Sequence, residues 1–571
     1  MASRIVLARA SRAFLQKEVG RRAIHASSAA AGRVLCLDNI DPVCVEIFKE
    51  RGHQADVKNG LTVPELCSII GDYDGMVIRS ATKVTGEVLK HASNLKVVGR
   101  AGVGIDNIDV PECTKAGVMV MNTPGGNTVS TAQLAVTLLC AAARRISEAD
   151  ASMKSGKWER KKFMGTELGG KTIAVVGCGR IGQQVAKWAQ GFGMKVIGFD
   201  PAMPKDIAEE KGIHLMELDD IWSQADFITL HTPLTPDTKD LISDASIAKM
   251  RDGVIIVNCA RGGIINEAAL LRGLESGKVA SAALDVYSSE PPPESAKGLI
   301  AHPRVVCTPH LGASTEEAQV NVARDVAVQM CDTLAGIDYV GVVNVDYMAM
   351  ANEPMMKPYL ELGEIIGKLH SQTTTGKIKK VTVRTYGGKL ISIETSTARR
   401  VLQAQVLKGL CAYLPGNTTI PSLINAPYLA SELGIETAID KKVHQSLVNS
   451  PYSNVITVDV ELEGGRKRTI SGSVFGTEGN IVQIDNYKSF PAFQPEGTLL
   501  TFRNEDRPGA VSDVLRILSD ASINVARMNV GRQEGELALC LMDLDAVPAP
   551  AVVEQLKGLG SLSDVFLANV A

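Results

Sequence analysis

From residue 33 to residue 123 the chain repeats one pattern: a short unbroken apolar run, a stretch of helical spacing, then another run. GRVLCL, GMVIRS, LKVVGRAG and VMVMNT are the runs. Hydrophobicity that is continuous rather than alternating means burial on both faces, the habit of parallel strands covered by helices. A second series begins at Lys171 with KTIAVVG, KVIGFD, FITLHT, VIIVNC, ALDVY and VVCTPH. Helical stretches of about ten to fifteen residues fill the gaps, as right-handed crossovers in a parallel sheet require. Two doubly wound, Rossmann-like α/β units are therefore predicted in succession.

A helix beginning near Thr128 (TAQLAVTLLCAAARRI) joins them and is apolar enough to be a spine between two units. After His310 a second long helix, EEAQVNVARDVAVQMCDTLAG, is expected to return to the first unit. That makes the first unit discontinuous, residues 33–127 with 311–345, around a second unit at 128–310. Past residue 345 the texture changes. The helix EPMMKPYLELGEIIGKLHSQ precedes KKVTVRTYG, SNVITVDVEL, KRTISGSVFG and NIVQID, which alternate as antiparallel strands do. An α+β unit is expected over 347–490, and a ferredoxin-like βαββαβ unit over 497–571.

Composition narrows the class. The 571 residues exceed a single core, and 45% hydrophobic with 22% charged is ordinary for a globular protein. A net charge of −3 leaves no excess positive field for nucleic acid, and no apolar run reaches the roughly 18 residues of a membrane span. The eleven cysteines are scattered with no C-x-x-C pair, so they are expected as reduced core residues, not as disulfides or metal ligands. The first 31 residues differ from the rest. Arg4, Arg9, Arg12, Lys17, Arg21 and Arg22 face one acid, Glu18, with Ser and small residues following, as in an organelle transit peptide cut near Gly32. The mitochondrial matrix is the expected destination; the plastid stroma, or an extension with no address, are the alternatives.

The strongest chemical signal is GCGRIG at 177–182, between strand KTIAVV and the helix that contains Arg180 and Ile181. Gly177 suits a tight turn, Gly179 lets backbone approach a pyrophosphate, and Gly182 packs helix on strand. Phosphate would meet free N–H groups and the helix dipole there. Asp200 ends the next strand, where a carboxylate accepts from both ribose hydroxyls and repels a 2′-phosphate, so NAD is expected rather than NADP. Arg261, Glu290 and His310 each follow a predicted strand at its carboxyl end, the ligand edge of an open α/β sheet. Spacing alone leaves the ordinary reading open for each: a loop ion pair, a surface acid, a buried imidazole.

The segments GCGRIG, HTPLT, NCARGGIINE, ALDVYSSEPP and TPHLGAST, in that order, resemble the D-isomer-specific 2-hydroxyacid dehydrogenases over about residues 33–336. That resemblance implies catalysis by Arg261, Glu290 and His310. His310 would exchange the hydroxyl proton. Glu290 would fix its ring, and Arg261 would hold the substrate carboxylate. It further implies cofactor contacts at Val103, Thr232, Cys259, Ala260, Asp285, Gly312 and Ala313, and no metal. Substrate contacts fall on Arg79 and on Arg100, Ala101 and Gly102 of the Gly-rich loop after strand LKVV. Two extra arginines suit a phosphorylated 2-hydroxy acid; surface ion pairs are the competing reading.

GKWERKKFMGTEL also resembles the long branch of that family, with Arg160, Lys161 and Lys162 either reaching an active site across a dimer or forming a solvated turn. NEDRPG at 504–509 and SINV at 522–525 resemble an ACT domain, implying an L-serine effector at Asn504, Asp506 and Asn524, or else a purely assembling module. The expected activity is NAD-linked oxidation of D-3-phosphoglycerate to 3-phosphohydroxypyruvate, the first step of L-serine biosynthesis, in a homotetramer. A dehydrogenase for glyoxylate, hydroxypyruvate or D-lactate is the nearest alternative, and an idle NAD-sensing protein the more distant one.

Overall fold

A computed structural model describes residues 32–387, 396–440, 452–487, 491–532 and 537–570. The transit peptide expected at 1–31 lies outside the described residues.

The first sheet has five parallel strands: β1 (Arg33–Cys36), β2 (Gln54–Val57), β3 (Gly75–Ile78), β4 (Val97–Arg100) and β5 (Met119–Asn122). Their order is β2-β1-β3-β4-β5. The long helix Glu316–Leu334 lies across it, close enough that two strand positions must lack a side chain. A Cβ on Gly75 would come within 2.9 Å of Met330 Cε, and one on Gly99 would overlap Met330 Sδ.

The second sheet has seven parallel strands: β6 (Thr172–Val176), β7 (Lys195–Phe199), β8 (His214–Leu215), β9 (Phe227–Leu230), β10 (Val254–Asn258), β11 (Val279–Leu284) and β12 (Val305–Cys307). In the order β12-β11-β10-β9-β6-β7-β8, the direction of winding reverses between β6 and β9. Loops leave that point in opposite directions and open a crevice. The helix Thr128–Arg144 is buried against β10 and β11 through Ala135, Leu138, Leu139 and Ala142.

Two sequence expectations need correction, and two strands went unread. ALDVY is strand only in its first two residues: β11 ends at Leu284, and the chain turns at Asp285, whose carboxylate is occupied as described below. The strands β2 and β8, both short edge strands, carry too little apolar patterning to be read. The 347–490 unit is not purely antiparallel. Its sheet, β14-β13-β15-β16-β17, pairs β13 (Ile378–Gly387) in parallel with β14 (Glu436–Asp440). The strands β15 (Asn454–Leu462), β16 (Lys467–Phe475) and β17 (Glu478–Ile484) follow antiparallel.

The helices Lys357–Thr373 and Ser396–Cys411 pack backbone to backbone in this unit, because a Cβ on Gly367 would overlap Val406 O and one on Gly409 would overlap Glu364 O. The last four strands are β18 (Thr498–Asn504), β19 (Val525–Gly531), β20 (Ala538–Leu544) and β21 (Leu562–Asn569). Their sheet runs β19-β20-β18-β21 and is antiparallel. One face takes the helices Ala510–Asp520 and Pro550–Lys557 through Val514, Leu518 and Leu556. The other presents Leu499, Leu539, Leu541 and Ala568 to the same core that holds Leu362, Ile366 and Leu369 of the helix Lys357–Thr373.

That helix also carries His370, which is 0% exposed. Its Nε2 lies 3.0 Å from Val458 O, and burial, then the Arg468 charge, pushes the imidazole down to about 3. The unfolded chain takes up a proton near pH 6.5, whereas the folded chain does not until about pH 3. Stability from this residue is therefore whole above pH 6.5 and is lost as pH falls below it, by about 2 kcal/mol at pH 5. His370→Gln should flatten the change in urea midpoint between pH 7.5 and 5. An equal change in variant and parent would acquit His370.

Candidate active site

The crevice between β6 and β9 is lined by the GCGRIG turn, and each of its glycines answers to a different constraint. Gly177 has φ +94, and a Cβ there would sit 2.7 Å from the His231 carbonyl and 2.9 Å from Thr232 N. Gly182 opens the helix Arg180–Gly191 so close to the turn that a Cβ would overlap the Gly177 carbonyl. At Gly179, with an ordinary φ of −68, nothing lies within 4 Å of where a Cβ would be. Arg180 is exposed beside it and Ile181 half-buried. The Asp200 carboxylate accepts from Cys178 N at 2.8 Å and Ala202 N at 2.9 Å, holding it at the turn. Two observations fit a dinucleotide: the open face at Gly179, and the buried Thr232 Oγ1, which has no hydrogen-bond partner.

Beyond the carboxyl ends of β10, β11 and β12 lie the three chemical residues. His310 Nδ1 is 2.7 Å from Glu290 Oε2, so the ring is held at one nitrogen and the other is left for chemistry. Both side chains are about half exposed. His310 sits in the left-handed region at φ +57, and its N–H donates to Asp285 O. Asp285 itself is 0% exposed. Its carboxylate accepts from Thr308 Oγ1 at 2.6 Å, Leu311 N at 2.7 Å and Gly312 N at 2.9 Å. Burial pushes that carboxyl up, while Thr308 and the two N–H groups pull it down. Ala313 O, one residue on, accepts from Gln319 Nε2.

Arg261 reaches from the second unit to the first. Its Nε is 3.3 Å from Asp106 Oδ2, and a Cβ on Gly104 would overlap its guanidinium. Arg100 Nε donates to Asn107 Oδ1 at 3.1 Å. Burial first, then repulsion from Arg261 and Arg79, holds the Arg100 guanidinium below its usual range, with Asp106 and Asp38 opposing. Three arginines therefore share one small region. Such crowding is unfavourable until an anion arrives. Arg79 also lines a cleft of about 500 Å³ with Ser80, Thr82 and Lys83, and Asp38 pins this loop through Arg79 N and Thr82 N. In the Gly-rich loop the Gly102 N–H is spent on Thr123 Oγ1, and the Ala101 N–H on Ile78 O. Both N–H groups are thus engaged within the fold. Val103 O accepts from Asn122 Nδ2.

Sequence reasoning missed Asp38, Asp106, Asn107 and Thr308. The pair Asp106 and Asn107 directly follows the Gly-rich loop, and polar residues there were the available signal; the other two are visible only once distant segments meet.

The remaining candidates are not joined to this region. Arg160, Lys161 and Lys162 sit on a short exposed turn, tied down where Lys162 O accepts from Arg145. Each proposed effector residue has its own neighbour. Asn504 is buried with Nδ2 on Glu505 O and Oδ1 unpartnered, Asp506 pairs with Arg532, and Asn524 donates to Asp545. Among the described residues no cluster of His, Cys, Asp and Glu is placed to hold a metal, and no helix is long and apolar enough to cross a membrane.

Comparison with known proteins adds the following. The NAD-binding domain of D-isomer specific 2-hydroxyacid dehydrogenases matches residues 136–312, the D-3-phosphoglycerate dehydrogenase intervening domain residues 355–485, and the ACT domain residues 498–561. The D-3-phosphoglycerate dehydrogenase of Methanocaldococcus jannaschii is 40% identical over 540 residues, 94% of this chain and 100% of that protein. That of Homo sapiens is 44% identical over 403 residues, 71% of this chain and 74% of that one. Among solved structures, a Thermus thermophilus protein is 33% identical with a TM-score of 0.50, covering 55% of this chain and 99% of its own. A glyoxylate reductase from Paecilomyes thermophila is 29% identical, also at 0.50, covering 55% of this chain and 97% of its own.

Proposed function

The chain belongs to the D-3-phosphoglycerate dehydrogenase family of D-isomer-specific 2-hydroxyacid dehydrogenases, and from that membership we propose how its own residues carry the reaction. It is an NAD-dependent oxidoreductase that converts D-3-phosphoglycerate to 3-phosphohydroxypyruvate, the first step of L-serine biosynthesis. NAD, when bound, supplies the ring that accepts hydride from C2. Gly177, Gly179, Gly182, Asp200 and Thr232 would hold it. The His310 nitrogen not engaged by Glu290 takes the hydroxyl proton as hydride departs. Glu290 keeps the ring oriented while that happens. Arg261 holds the carboxylate with two aligned donors, and Arg79 and Arg100 hold the phosphate.

The observation that carries this assignment is the crowding of Arg79 and Arg261 about the half-buried Arg100 at the end of β4. A substrate with a carboxylate at one end and a phosphate at the other relieves it. Arg79→Ala should raise KM for D-3-phosphoglycerate about 10- to 100-fold with little change in kcat, the signature of lost ground-state binding to a charged group. Unchanged KM in steady-state rates with NAD would remove Arg79 from the site.

The ACT domain fits a small-molecule effector. L-serine is the effector proposed, with Asn504, Asp506 and Asn524 as contacts, and the buried, unpartnered Asn504 Oδ1 supports a polar ligand. Initial rates with and without millimolar L-serine test it; indifference would reduce the domain to assembly. A homotetramer and import into an organelle through residues 1–31 belong to the same proposal. Solution mass checks the first, and the location of a fluorescent fusion of the leader checks the second.

A further inference from the structure

We infer that Asn258 is the positioning residue for Arg261, setting where the carboxylate-binding guanidinium stands relative to His310. Asn258 is the last residue of β10 and is 1% exposed. Both ends of its carboxamide are turned onto the turn that follows, at Ala260 and Arg261. Oδ1 accepts from Ala260 N at 3.0 Å, and Nδ2 donates to Arg261 O at 2.9 Å. A strand end gripped in this way cannot unwind by one residue without stranding a buried donor and a buried acceptor.

The opposite side of the turn is closed by sterics. A Cβ on Gly262 would overlap the Tyr287 carbonyl, so the chain passes against the segment after β11 with no space to spare. The turn carrying Arg261 is thus held from within by Asn258 at Arg261 O and from outside by Tyr287 at Gly262.

The main chain of Asn258 makes the second connection. Its carbonyl accepts from Asp285 N at 2.9 Å, and Asp285 is the residue whose carboxylate holds Thr308, Leu311 and Gly312 and whose carbonyl holds His310 N. One residue therefore joins the turn carrying Arg261 to the turn carrying His310. Its side chain addresses the first and its backbone the second. Only the side-chain link is open to substitution, so a variant separates Arg261 placement from His310 placement. A displacement of about 1 Å at such a group is enough to cost about 100-fold in rate.

This inference rests on the proposed role of Arg261 as the carboxylate holder, and a double-mutant cycle tests the two separately. The chain is assayed with D-3-phosphoglycerate and NAD as parent, Asn258→Ala, Arg261→Ala and both together, with NADH affinity and melting temperature measured on each. Asn258→Ala alone should lower kcat/KM about 10- to 100-fold with NADH affinity within about threefold. In the Arg261→Ala background it should cost less than about threefold more, because its target is gone. Asn258→Asp, which keeps the acceptor for Ala260 N but sets a carboxylate against Arg261 O, should lose as much as Asn258→Ala. It also carries the cycle if the alanine variant fails to fold. Additive losses, or a fully active Asn258→Asp, would overturn the positioning role. An Arg261→Ala variant with parental kcat/KM would instead overturn the assignment of Arg261 on which the inference stands.

Discussion

His310→Asn is expected to lower kcat by about 10²- to 10⁴-fold while leaving NADH affinity and melting temperature where they were. Asparagine is the right replacement for a reason of backbone geometry. At φ +57 a side chain with a branched or bulky Cβ is strained, and asparagine is one of the few residues that visits this region readily. It can keep the turn and the bond from the backbone of residue 310 to Asp285 O, and it removes only the titrating ring. Alanine would mix a lost base with a disturbed turn. Single-turnover rates with D-3-phosphoglycerate, followed at NADH absorbance, give the answer directly. A kcat within threefold of the parent would mean that another group moves the proton, and the pairing with Glu290 at 2.7 Å would then be a surface contact.

The second large effect separates fold from cofactor. Gly179→Val should leave the melting temperature unchanged and weaken NADH binding about 100-fold or more, by roughly 3 kcal/mol. In the free protein its φ of −68 suits any residue and nothing stands within 4 Å of the new Cβ, so folding has no reason to object. The space it fills is the one a pyrophosphate needs in order to reach the start of the helix Arg180–Gly191. Gly182→Val is the contrasting case, because its Cβ would collide with the Gly177 carbonyl and the fold itself must give. Calorimetry and NADH fluorescence titration on the two variants distinguish these failures. If Gly179→Val binds NADH like the parent, the phosphates do not cross that face.

Much of this was legible in the chain, for identifiable reasons. Parallel strands buried on both faces write continuous apolar runs, so β1, β3, β4 and β5 were visible, as were β6, β7, β9, β10 and β12. The edge strands β2 and β8 do not: QADV and HL are half polar because one side meets water. The reading of ALDVY as a strand failed at Asp285, where apolar spacing continues into Val286 and Tyr287 but the chain has already turned to bind residues 308–312. Motif residues were legible one at a time. Their partners were not, since Asp106 meets Arg261 across 155 positions and Asp38 meets Thr82 across 44, and no local pattern records such meetings. The parallel pairing of β13 with β14 was hidden similarly, the helices Ser396–Cys411 and Ala426–Glu432 among the described residues lying between the strands.

The helix Lys357–Thr373 serves two sheets at once, and this limits how the chain can be cut. Its Gln372 exchanges hydrogen bonds with the backbone of Asn569, and Lys368 donates to Val570 O at the far end of the sequence. Tyr487 OH donates to Leu537 O across the same junction, and Asp485 holds both Arg468 and Arg503. A protease nick that released the last 75 or so residues would strip an apolar face from the intervening unit and expose Leu362, Ile366 and Leu369 to water. The C-terminal unit is therefore not a detachable accessory: a gene shortened to the catalytic half must lose the intervening unit with it.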